Sequence, residues 1–366
     1  MRGKMVAAGL LLVLVGGAAV GWAGRGRLGA WYYLRGLGRA SQADRGYWIE
    51  RVADLGEPAL EGLLDCLDGD DDRACQNAVA ALDHIARTWG EADPRVAELA
   101  VRQQRLFAHM SPEARALLLR GMAGWFQADP APGLVQACAR LLSDAADNSD
   151  AATQLAAMDL AAVLVRLPHR GEALRPAREL ARTGLHSEDP ANRLRAVQLS
   201  LHPGMDLLES VVALLHDPAA EVRRAAILAV GPADQVVRDE GLLASLHDPD
   251  AEVRRLTEAA LRGRGLRPEH IELGRLLTHP DHQMRVRVLD HLREAPDLDP
   301  GLWLRRLSHD VKPSVRCAAL RMMCDMTLID LTDRIDQMAR SDPNPTVAWT
   351  ARVYLKQKRN PDPPER

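Results

Sequence analysis

Three histidines, His216, His247 and His309, share one register: each closes an apolar run and precedes an Asp. Imidazole is a common zinc ligand, so a histidine row is the first place to look for a metal. The spacing argues against one. His216 and His247 are 31 residues apart, on successive units of the chain. Packed helices lie roughly 10 Å apart, whereas zinc needs each nitrogen at about 2 Å. A donor or cation at the C-terminus of a helix explains the row without a metal. Asp68, Asp70 and Asp72 alternate as in a calcium loop, but Arg73 stands where such a loop needs Gly and Val79 where it needs Glu. A solvated loop between helices is the better reading.

Gly24, Gly26 and Gly29 satisfy GxGxxG, and Asp44 falls twenty residues after Gly24. They follow a long apolar run rather than a short strand, and no βαβ unit surrounds them, so a juxtamembrane link is expected instead. The five cysteines are Cys66, Cys75, Cys138, Cys317 and Cys324. The count is odd, there is no CxxC, and reduced buried thiols are expected, which leans toward a reducing compartment. Walker loop, HExxH, GxSxG and CxxCH are all absent. No nucleophile has an evident base. The expectation is a protein without catalysis, cofactor or metal.

What recurs instead is a phrase of acid, Pro, polar residues, Val and Arg. It reads DPANRLRAV at 189–197, DPAAEVRRAA at 217–226, DPDAEVRRLT at 248–257, HPDHQMRVRV at 279–288, DVKPSVRCAA at 310–319 and DPNPTVAWTA at 342–351. Its apolar anchors are Leu194, Val222, Val253, Met284, Val315 and Val347, spaced 28, 31, 31, 31 and 32 residues apart. Such a period marks a repeat architecture. Each copy lies between two amphipathic runs, for example 205–216 and 220–230. Asp-Pro ends the first helix, because Pro lacks an N–H and restricts the residue before it. Pro then suits the start of the second. One hairpin cannot bury its apolar stripe alone, so neighbours must stack. Ala, Leu and Arg dominate and aromatics are only 4%, which agrees with an all-α chain.

These residues resemble HEAT repeats, in particular the short bacterial form related to phycobilisome-lyase HEAT-like repeats, whose pattern is close to DPxxxVRxxAxxAL. The resemblance implies an α-solenoid, a superhelix of helical hairpins. It also implies a hydrogen-bonded ladder between adjacent hairpins, made by the turn Asp and the Arg six residues later. The matching pairs are Asp189 with Arg195, Asp217 with Arg223, Asp248 with Arg254 and Asp310 with Arg316. His279 departs from the pattern opposite Arg285, and Ala348 departs opposite Asp342. The resemblance covers 187–358 clearly and 47–88 more weakly. Residues 95–186 read as longer, divergent hairpins with breaks near Pro112, Pro130, Pro132 and Pro168.

The positive charge is uneven. Residues 1–40 hold six Arg or Lys and no acid, 41–186 hold 15 basic and 22 acidic residues, and 187–358 hold 24 and 26. The repeats have no basic excess, so a nucleic-acid partner is not expected. Met5–Ala23 is nineteen residues without a charge, about 28 Å as a helix. Arg and Lys flank it, and Trp22, Trp31, Tyr32 and Tyr33 sit at or beyond its end, as at a headgroup layer. The expectation is one transmembrane helix with the soluble domain on the cytoplasmic side. The alternative is a cleaved signal peptide, which would make the protein secreted or periplasmic. Gly17 and Gly21 have GxxxG spacing, and a homodimer through them is the less favoured reading.

The expected organisation is therefore an anchor and juxtamembrane segment over 1–40, divergent hairpins over 41–186, regular repeats over 187–358, and a disordered tail over 359–366. The expected function is a membrane-tethered scaffold for an unknown protein partner on the concave face, with Arg224, Arg255 and Arg287 as candidate contacts. The second reading is a HEAT-like enzyme or accessory, such as a bilin lyase or a protein that grips a DNA backbone during repair.

Overall fold

A computed structural model describes residues 29–69, 71–127, 130–131, 133–147, 150–168, 171–294, 299–326 and 329–359. Among the described residues every regular element is helical. The chain forms two compact units, Met1–Ala225 and Ala226–Arg366.

In the first unit, α1 covers 29–39, followed by α2 (Arg45–Ala53), α3 (Glu57–Leu67), α4 (Asp72–Trp89), α5 (Pro94–Leu106), α6 (Pro112–Ala123), α7 (Leu134–Ala146), α8 (Ala151–Leu164), α9 (Gly171–Leu185) and α10 (Pro190–Ser200). Short polar caps set the starts. Asp71 accepts from the N–H groups of Arg73 and Ala74 at α4, and Asp93 accepts from Arg95 at α5. Ser111 serves α6, Asp150 serves α8 and Asp189 serves α10. Each cap satisfies N–H groups that the helix itself leaves unpaired. Pro94, Pro112 and Pro190 stand at the first turn, where a missing N–H costs nothing. Gly90, at φ +83°, closes α4 in a conformation that disfavours a side chain.

Odd and even helices pack along the chain in two rows. α3, α5, α7 and α9 contact in sequence, and so do α4, α6, α8 and α10. Between the rows lies an aliphatic core that includes Leu63, Leu82, Leu119, Leu142, Met158 and Leu180, all buried. The divergent stretch 95–186 is therefore built of the same alternating helices as its neighbours, with longer first helices.

After α11 (Leu208–Val211), continued by a 3-10 turn to His216, α12 (Ala220–Val230) carries the boundary between the units. In the second unit the first helices are short: α13 (Asp239–Leu243) continued by a 3-10 turn to His247, α15 (Pro268–Leu277), α18 (Pro300–Leu307) and α20 (Thr332–Ser341). The second helices are α14 (Ala251–Gly263), α16 and α17 (His282–Val286 and Val288–Glu294), α19 (Pro313–Asp325) and α21 (Pro345–Arg359). α16 packs on α19 and α19 on α21. Leu304, Leu307, Val315, Ala319, Leu320 and Val347 form the centre of one apolar cluster. Of the repeat anchors, Val222, Val253, Val315 and Val347 are fully buried. Met284 is half-buried against the cluster and Leu194 is half-buried.

The expectation of a single-pass membrane protein is corrected here. Among the described residues no helix is long and apolar enough to cross a membrane. The longest, α4, carries Asp72, Arg73, Asp83 and Arg87 and buries only one face, with Val79, Leu82 and Ile85 in the core. That is the amphipathic pattern of a helix packed between protein and water. The segment Met5–Ala23, with Gly17 and Gly21, lies outside the described residues, as does 360–366. The compartment inferred from that segment is withdrawn with it.

Candidate functional site

The recurrent phrase folds into a turn with a fixed internal code. A polar side chain at the first position accepts from the backbone N–H two residues on. Asp217 accepts from the N–H of Ala219, Asp248 from Asp250, Asp310 from Lys312 and Asp342 from Asn344. The Arg six residues later donates from Nη1 to the carbonyl of that first residue: Arg223 to Asp217 at 2.8 Å, Arg254 to Asp248 at 2.7 Å and Arg316 to Asp310 at 2.8 Å. The link between Asp and its own Arg therefore runs through the main chain.

The carboxylate serves a different Arg, the one from the preceding hairpin. Arg193 donates Nε and Nη2 to Asp217 at 2.6 and 2.8 Å. Arg285 does the same to Asp310 at 2.6 and 2.9 Å, and Arg316 to Asp342 at 2.9 and 2.8 Å. Each guanidinium is thus a two-sided clamp, using one edge for its own turn and a bidentate fork for the next. Burial would raise these carboxyls. The bonds from Arg and from the backbone outweigh it and hold Asp217, Asp310 and Asp342 below the usual carboxylate range.

The first copy sits two residues earlier than the phrase suggests. Ser187 takes the first position, accepting from Asp189 N–H through Oγ at 3.2 Å, and Arg193 donates to the Ser187 carbonyl at 2.9 Å. Asp189 is the cap of α10, and Arg195 lies 2.7 Å from Asp159 instead. The local string DPANRLR aligns with the later copies by eye, but the backbone follows the Ser and the earlier Arg.

His279 keeps the code without a carboxylate. Its Nδ1 accepts from Asp281 N–H at 3.0 Å, as the Asp oxygen does elsewhere, and Arg285 donates to its carbonyl at 2.7 Å. His279 therefore cannot receive a fork from Arg254, whose hydrogen bonds go to the carbonyls of Asp248 and Pro249. His247 packs edge-on against His279 with ring centroids 5.1 Å apart. His247 Nε2 lies 2.8 Å from the Arg275 carbonyl, which makes it the donor. Burial pushes His247 below the ordinary imidazole range despite that bond, and His279 adds to the depression. Among the described residues no group of three His, Cys, Asp or Glu side chains is placed to hold a metal. Cys138 is buried, which pushes its thiol up to about 12 and leaves it unreactive.

The candidate partner contacts are placed as follows. Arg224 is half-buried on α12 in the first unit. Arg255, exposed on α14, is bonded to Glu252 one turn back at 2.7 Å. Arg287, also exposed, stands at the break between α16 and α17. Two buried guanidiniums went unread in the sequence. Arg264 caps backbone carbonyls of Val230, Gly231 and Val237, and Arg334 holds Ser308. Both lie outside the repeated phrase, and a lone Arg in a helical pattern carries no mark of burial. No family model matches the chain, and no curated protein matches it in sequence.

Proposed function

We propose that the chain is an α-solenoid of HEAT-like repeats that works as a protein-binding scaffold and performs no catalysis of its own. The observation that carries this reading is the clamp repeated from turn to turn, as in Arg285 to Asp310 and Arg316 to Asp342. A regular joint of this kind holds successive hairpins in one register, which suits a long rigid surface rather than a closed reaction site. The even-numbered helices of the first unit from α4 to α10 pack in sequence, and in the second unit α16, α19 and α21 do so. In the HEAT architecture such rows line the inner face, where an extended partner makes several separate contacts. Arg224, Arg255 and Arg287 stand on or beside second helices, Arg224 and Arg255 seven residues after the first residue of their turns and Arg287 eight.

A photo-crosslinking amino acid placed at Arg224, Arg255 or Arg287 in turn tests the assignment. The partner should be captured from these positions and not from Glu98, which is exposed on α5 in the other row. Capture from Glu98 alone would assign binding to the first helices of the hairpins instead.

A further inference from the structure

One buried cation in the second unit has no carboxylate on it. Arg334, on α20, is only 8% exposed. Its Nε donates to Ser308 Oγ at 2.6 Å, its Nη2 to the Ser308 carbonyl at 2.8 Å and its Nη1 to Gln337 Oε1 at 2.7 Å. Ser308 caps the C-terminus of α18, so the negative end of that helix offsets part of the charge. All three partners are nevertheless neutral. Arg285 and Arg316, buried to the same degree, each hold a carboxylate through two bonds. A buried charge left with neutral partners alone is costly, and burial lowers the Arg334 pKa.

Arg334 opens onto a cavity of about 470 Å³. Its walls include His309, Ser341, Val311, Met338 and Pro343. Asp310 and Asp342 also face it, but both are committed, the first to Arg285 and the second to Arg316. Those two pairs cancel and leave the charge of Arg334 as the excess. The His309 ring is exposed at the rim, and burial and then Arg334 hold it below the ordinary imidazole range. Val311 is 83% exposed at a turn position where the copies beginning at 217, 248, 279 and 342 have Pro. It adds an apolar wall beside Met338 and Pro343.

We propose that this cavity binds a monoanionic aliphatic carboxylate, with the carboxylate between Arg334 and His309 and the aliphatic part against Val311, Met338 and Pro343. A single negative charge matches the single excess positive charge. A dianion such as phosphate would set its second charge against Asp310 and Asp342. The same chemistry is offered by a free short-chain acid and by the C-terminal residue of another chain. The inference stands on the geometry around Arg334 and holds whether or not the protein is a scaffold.

The test uses the whole chain and the His309 ring proton as reporter in NMR pH titrations. Sodium butyrate is compared with sodium chloride at equal ionic strength, and N-acetyl-leucine with N-acetyl-leucinamide. A carboxylate seated beside the imidazole raises the His309 midpoint, so butyrate and N-acetyl-leucine should raise it and the amide should not. Tighter binding of N-acetyl-leucine than of butyrate identifies a chain end as the natural source, and the reverse order identifies a free acid. The ring signal of His216, at the same register of another repeat, should not move. Arg334→Met keeps the length of the buried side chain and should weaken butyrate by about tenfold or more. Val311→Glu is an exposed change that leaves folding intact. It should raise the His309 midpoint by itself and block butyrate. A His309 midpoint that is the same in butyrate and in chloride overturns the proposal, as does undiminished butyrate binding in Val311→Glu.

Discussion

Arg316 reaches from the second helix of one hairpin to Asp342 in the turn of the next, with two hydrogen bonds of 2.9 and 2.8 Å across 26 residues of sequence. Both side chains are nearly sealed from water, at 8% and 3% exposure. The same Arg also holds the Asp310 carbonyl of its own turn. One side chain thus fixes the fold of a turn and the spacing between turns. Asp342→Asn keeps the shape of the acceptor but leaves the Arg316 charge buried and unpaired. It should destabilise the chain by roughly 3 kcal/mol, the scale for breaking a buried pair from one side. Urea unfolding measures it. Combining Arg316→Met with Asp342→Asn should cost less than the sum of the two single changes.

Acid should undo the clamps in a defined order. Asp217, Asp310 and Asp342 titrate lower in the folded chain than the usual carboxylate value of about 3.9. Their contribution is complete above that value and is lost as pH falls through the lower folded values. His247 is also depressed, so the unfolded chain takes up its proton first, near the ordinary value of 6.5. Stability should therefore begin to fall below about pH 6.5 and fall again, more steeply, below about pH 4. Melting temperature against pH checks both steps. His247→Gln should reduce the first, to which the likewise depressed His309 also contributes, and leave the second.

At His279 the clamp meets no acid. Arg254 and His279 are 25 residues apart, as are Arg285 and Asp310. His279→Asp should give Arg254 the fork it lacks while still accepting from Asp281 N–H. The expected gain is about 1 kcal/mol, the net worth of added charge-assisted hydrogen bonds at a partly buried site. A change of zero or a loss in urea unfolding would show that the two turns stand too far apart for the fork to close.

Gln103 is fully buried in α5, and neither its Oε1 nor its Nε2 has a hydrogen-bond partner. An unsatisfied buried amide costs about 1–3 kcal/mol. Gln103→Met, of similar length, should stabilise the chain by about 1 kcal/mol. A lower melting midpoint for this variant would mean that the amide is satisfied in solution by an internal water.

Much of this was legible in the residues. The 31-residue spacing of Val222, Val253 and Met284 led directly to helical hairpins, because a period of that length can bury an apolar stripe only by stacking. The clamp was half legible. Asp and Arg six apart stood out, but their bond runs through a carbonyl, and the carboxylate goes to an Arg in another hairpin that no local pattern indicates. At Ser187 and Arg193 the eye followed Asp-Pro, while the backbone needed only an oxygen two residues before the cap. Arg334 could not be found, since its burial depends on Ser308, which lies 26 residues earlier outside any motif. The membrane reading rested on the apolar composition of Met5–Ala23, a stretch that the described helices neither contain nor resemble.

The scaffold reading is tested most directly by reversing charge at Arg224, Arg255 and Arg287 together and measuring partner capture by the purified chain. Single rim charges contribute little, so the three are changed at once. The clamps at Arg223, Arg254 and Arg285 are spared, and helicity and melting midpoint should stay close to those of the parent. The account predicts that the triple variant folds and loses the partner captured by the parent. A folded triple variant that captures the same partner with undiminished affinity would contradict it.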